Sequence, residues 1–140
     1  MEITALRKPA GTSCVHLAPQ VHRPGCTIYG ERPEECRAFR CSWLSHRGSS
    51  RILASERDRP DRLGLLLWGR ETKLGKAIMA RELWLGATAS GRAAHVLHVL
   101  GVAFPVFLLR YDGTRALICH DPAKVEAAKR LFTAAGVRFS

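Results

Sequence analysis

The sequence predicts a small α+β domain in which a two-hairpin, two-helix core follows a cysteine-rich N-terminal segment stabilised by a metal ion. Three observations predict it. The chain has 140 residues, 46% of them hydrophobic, enough for one core and too few for two large domains. Beyond residue 62, short apolar runs alternate with helix-like stretches and turn signals. Four of the five cysteines fall within residues 14–41. The expected division is 1–58 for the metal-binding segment and 59–140 for the α+β core, packed together as one compact unit.

Residues 1–33 carry Pro9-Ala10-Gly11, Pro19, Pro24-Gly25 and Gly30, with too little periodicity for a long helix or strand. Such a segment buries too little side chain to offset its ordering entropy, so a metal cross-link is expected to hold it. Residues 27–29 predict one short strand. Pro33, followed by Glu34 and Glu35, predicts a helix over 33–44, because proline lacks an N–H that would be orphaned in the first turn and acidic side chains suit the positive helix end. Cys36, Phe39 and Trp43 then share a face. Cys41 lies about 140° around an ideal helix from Cys36, so both thiols reach one ion only if the helix ends, kinks or bulges near Arg40.

Residues 45–62 are polar and Arg-rich, with Gly48-Ser49-Ser50 and Asp58-Arg59-Pro60-Asp61, and predict an exposed loop with one helical turn around 52–57. A strand at 63–68 ends in a turn at Gly69; residues 74–79 are ambiguous, and 82–85 are expected to pair with the first strand. Ser90 caps a helix over 90–100, with Ala94, Val96, Leu97 and Leu100 on one side and Gly101 at its end. Residues 106–110 and 114–119 form a hairpin around Asp112-Gly113. Asp121-Pro122 starts a last helix, which runs to about residue 135, before Gly136.

Twenty-two Lys and Arg against twelve Asp and Glu give a net charge of +10, spread over both halves of the chain. That balance favours nucleic acid or another polyanion as partner, or serves as plain surface charge. No run of 18 apolar residues suggests a membrane span, and the N-terminus shows no secretory pattern, so the expected location is cytoplasmic. Five cysteines without an export signal argue against structural disulfides.

The cysteine spacing is C-x11-C-x9-C-x4-C, from Cys14 through Cys26 and Cys36 to Cys41. Thiolate sulfur is a soft donor suited to zinc, copper(I) or an iron–sulfur cluster, and four thiolates close a structural zinc site. His16 is the alternative fourth ligand, and His22 could approach the cluster. Phosphate-loop, HExxH, GxSxG and CxxC patterns are missing, and Cys14 with His16 makes only a weak catalytic pair, so enzyme activity stays open.

A longer string carries a resemblance: Lys8-Pro9-Ala10-Gly11, Cys14, Gly25-Cys26-Thr27-Ile28-Tyr29, Arg32-Pro33, Cys36-Arg37, Phe39, Cys41, Trp43-Leu44 and Arg59-Pro60-Asp61-Arg62-Leu63-Gly64. It resembles the bacterial cysteine-cluster family of YkgJ-like, zinc- or iron-chelating domains, with the GCxIYxxRPxxCRxFxCxWL signature, closely over residues 8–64 and more loosely beyond. The resemblance implies Cys26, Cys36 and Cys41 as ligands with Cys14 as the fourth. This chain lacks the upstream CxxCC-like group of its relatives and has Leu17 where many carry a further cysteine. The implied roles are a zinc-binding accessory or interaction protein, or an iron–sulfur or iron-dependent redox or enzyme component.

Around the cluster, Arg32 and Arg37 are expected to offset thiolate charge or to be solvated. Tyr29, Phe39 and Trp43 are expected to wall the site, with nucleic-acid stacking as the alternative role. Cys119 is expected to be a buried thiol outside the site. His46, His95, His98 and His120 are expected to be packing or surface residues.

Overall fold

The computed structural model describes residues 3–9, 14–18, 25–46 and 52–134. The chain divides into two compact units, Met1–Phe39 and Arg40–Ser140. His22, the Gly48-Ser49-Ser50 loop and the helix end at Gly136 lie outside the described residues.

In the smaller unit, Ile3 and Lys8 bridge a single 3-10 turn over Thr4–Leu6. Two short strands, β1 (Leu17–Ala18) and β2 (Gly25–Cys26), pair antiparallel, with Leu17 opposite Cys26. The strand expected at 27–29 therefore lies earlier. Thr27 donates its N–H to the His16 carbonyl at 2.9 Å, and Glu31 N–H then closes a turn onto the Ile28 carbonyl at 3.0 Å, so residues 28–30 have no ladder to join.

The helix expected over 33–44 is divided into α1 (Glu34–Ala38) and α2 (Ser42–His46). Pro33 is extended (ψ 156°) and precedes the helix, its carbonyl accepting from the N–H groups of Cys36 and Arg37. Phe39 returns to extended geometry (φ −67°, ψ 122°), which ends α1 before Arg40. Cys36, Phe39 and Trp43 consequently share no helix face.

The larger unit continues with a 3-10 turn at Glu56–Asp58, the short helix α3 (Pro60–Leu63), and then β3 (Leu65–Thr72) and β4 (Gly75–Glu82). Helix α4 (Gly91–Ala103) leads to β5 (Val106–Leu109) and β6 (Arg115–Ile118), and α5 (Pro122–Ala134) completes the order. The sheet order is β3-β4-β5-β6: two antiparallel hairpins joined by a parallel β4–β5 pairing, for which α4 supplies the crossover. The α+β composition expected from the sequence is present.

Alternation along the strands assigns each face. Leu65, Leu67, Ala80, Val106, Leu108 and Ala116 pack with Ala93, Val96, Leu97 and Leu100 of α4. On the other parity, Ala77, Phe107 and Ala128 of α5 cluster with Met79 and Leu117. Because both faces are covered, Val106, Phe107 and Leu108 are all buried, which explains a continuous apolar run instead of alternation.

Three boundaries differ from expectation within this unit. Gly69 sits inside β3 opposite Ile78, and the turn falls at residues 73–74. The second strand is Gly75–Glu82, with Leu83, Trp84 and Leu85 beyond it. Gly101 lies buried within α4, where a Cβ would meet Ile118 Cγ2 at 2.9 Å; it is a glycine of close approach and the helix runs on to Ala103. Ala94 is exposed, whereas Ala93 is fully buried. Ser90 and Asp121 cap as expected: Ser90 Oγ accepts from Ala93 N–H at 3.2 Å and Asp121 Oδ1 from Ala123 N–H at 3.0 Å.

Candidate functional site

Cys14, Cys26 and Cys36 belong to the smaller unit, all half-buried and free; Cys41 is buried and belongs to the larger. Local structure places each. Cys26 stands in β2 opposite Leu17, one register position from the His16–Thr27 contact. Cys36 occupies the centre of α1, and Cys41 immediately precedes α2, its carbonyl accepting from Ser45 N–H at 3.0 Å. Among the described residues, no group of three or more His, Cys, Asp or Glu side chains is gathered for a metal ion.

The arginines beside Cys36 are committed to the backbone. Arg32 Nε donates to the Tyr29 carbonyl at 2.9 Å while its guanidinium stacks 3.6 Å above the Tyr29 ring. Arg37 Nε donates in turn to the Arg32 carbonyl at 2.6 Å. These contacts fasten the turn leading into α1. Tyr29 is 66% exposed, so it is no apolar wall for the thiols. Trp43 is half-buried, and its indole N–H donates to the Ser55 carbonyl at 3.0 Å. Cys119, half-buried just after β6, directs its thiol to the Asp121 carbonyl at 3.7 Å.

Two buried carboxylates in the larger unit escaped the sequence reading. Asp58 is 1% exposed and forms a two-point pair with Arg92: Nε to Oδ1 at 2.7 Å and a terminal guanidinium nitrogen to Oδ2 at 2.9 Å. Ser55 adds its N–H and hydroxyl to Oδ2. Burial pushes the Asp58 carboxyl up, but the Arg92 and Ser55 hydrogen bonds more than offset this and hold it below its ordinary range. Arg92 also reaches the Ile52 carbonyl at 3.2 Å, so one side chain fastens the 52–58 segment to the start of α4.

Glu82, at the end of β4, is 4% exposed. Oε1 accepts from Thr88 N–H and hydroxyl, both at 3.0 Å, and Oε2 from Tyr111 N–H at 2.9 Å. Burial raises this carboxyl, and the three donors with the nearby Arg110 charge bring it below its usual value. A signal for Glu82 was present in the sequence, since it shares strand parity with Ile78 and Ala80 on the core face. Asp58 offered no such signal, because its partner lies on a distant helix.

Neither carboxylate is poised for proton transfer, as both are held ionised by donors that fix loops. No helix among the described residues is long and apolar enough to cross a membrane. No protein-family model, curated protein or solved structure matches the chain.

Proposed function

We propose that Cys14, Cys26, Cys36 and Cys41 bind one zinc ion and that the protein is a metal-binding accessory or interaction protein. The observation that carries this reading is the concentration of free thiols in a segment with almost no core. Among the described side chains of the smaller unit, Ile3 alone is buried. A unit of that size requires a disulfide, a metal or a partner to offset its chain entropy, and its cysteines are unpaired. The resemblance of residues 8–64 to cysteine-cluster domains supports the same ligand set.

Metal binding and ordering are then one event: the ion gathers the thiols as it binds, instead of entering a finished pocket. Four thiolates leave no coordination position for substrate, which makes the ion structural. The charge of +10 supports a polyanionic partner, checked by binding that weakens as salt rises.

Metal analysis after anaerobic purification tests the reading. About one zinc per chain without visible absorption is the expected result. Stoichiometric iron with sulfide would overturn zinc in favour of an iron–sulfur redox component. Cys36→Ser should lower zinc content in parallel with the stability of the segment, and unchanged values in both remove Cys36 from the ligand set.

A further inference from the structure

A groove of about 280 Å³ opens in the larger unit between α4 and the β5–β6 hairpin. Leu97, Leu108 and Ile118 supply its apolar lining, and Thr88, His98 and Arg110 its polar groups. His120 N–H donates to the Gly101 carbonyl at 3.0 Å, which fastens the segment after β6 to α4. The same contact sets the His120 ring edge-on to His98, with centroids 4.5 Å apart.

Arg110 is exposed, and its guanidinium forms no hydrogen bond or close ion pair among the described residues; Glu82 and Asp112 feel its charge only at longer range. No acidic side chain lines the groove. Glu82 meanwhile consumes the backbone N–H groups of Thr88 and Tyr111 that would otherwise serve an anion, and its buried negative charge opposes a dianion. What remains is a guanidinium fork and an imidazole above an aliphatic floor. A guanidinium and an imidazole are donors suited to a carboxylate, and the aliphatic floor suits an apolar body.

We propose that this groove binds a small organic monocarboxylate, with Arg110 and His98 on the carboxylate and Leu97, Leu108 and Ile118 against its apolar body. Glu82 is a positioning residue that holds the loops carrying Thr88 and Arg110.

Benzoate is the probe, titrated into the full-length protein and followed by amide chemical shifts. The expected result is saturable movement of the Leu97, His98, Leu108 and Arg110 signals. Arg110→Gln, which changes an exposed side chain and should leave the remaining spectrum intact, weakens binding by about tenfold or more, as does His98→Gln to a smaller degree. Benzyl alcohol and inorganic phosphate, each lacking one half of the recognised chemistry, bind more weakly than benzoate. Absence of saturation by about 20 mM benzoate overturns the proposal, since that concentration exceeds any useful affinity. Equal binding by both variants, or phosphate binding as tightly as benzoate at the same amides, overturns it too.

Discussion

The larger unit buries Leu65, Leu67, Val96, Val106 and Leu108 between its sheet and α4, whereas the described side chains of the smaller unit bury Ile3 alone. Burying aliphatic side chains is what offsets the backbone entropy lost on ordering. The larger unit has such a core. The smaller unit does not, and its free thiols are the groups available to close the gap. One chain thus combines order derived from packing with order that, in the proposed reading, derives from an ion.

Removing the proposed ion is the largest expected perturbation and the most direct way to break this comparison. Chelation under reducing conditions should abolish hydrogen-exchange protection in β1, β2 and α1 and leave β3–β6 protected. Equal loss in both units, or none in either, would remove the distinction.

Arg92→Ala acts in the opposite sense. It leaves Asp58 with Ser55 but without its charge partner; because Arg92 is partly solvated and the Ser55 donors remain, the cost should be about 1–3 kcal/mol in denaturant unfolding of the larger unit, without a change in zinc content. The pH dependence sharpens this. Because the folded-state pKa of Asp58 is depressed, its stabilising contribution is present above the unfolded value and is lost as pH falls through the folded value. Arg92→Ala should therefore flatten the acid limb of the stability profile.

Equal or smaller effects follow on the same unit. Glu82→Gln replaces one acceptor oxygen by a donor amide and strands either Thr88 or Tyr111 N–H, with a cost of about 1–3 kcal/mol measured by urea unfolding. Gly101→Ala opposes two terms: a helical gain of about 1 kcal/mol against overpacking at Ile118 of about 1–3 kcal/mol. The net is a modest destabilisation, checked by a fall in melting temperature. A gain in melting temperature would show that β6 yields to the added methyl group.

How far the sequence could be read follows the same division between local and distant causes. Asp112-Gly113 announced its hairpin because the turn chemistry is self-contained: Asp112 Oδ1 accepts from Thr114 N–H and hydroxyl at 2.8 and 2.7 Å, and Gly113 takes φ 86°. Ser90 and Asp121 were readable for the same reason, since a cap and the N–H it serves lie within three residues. The cysteine spacing was equally readable, but among the described residues the thiols are not gathered, so the site itself stays a proposal.

Tertiary structure decided the rest. Gly69 reads as a turn until Ile78 pairs with it, and Gly101 reads as a helix stop until Ile118 and His120 press against α4. Asp58 reads as a loop carboxylate until Arg92, thirty-four residues on, closes over it. What the sequence by itself determined is the set of turns, caps, apolar runs and thiols. Register, the two covered sheet faces, the buried carboxylates and the groove at Arg110 arise only when distant segments meet, because burial and pairing energies depend on partners that no short window contains.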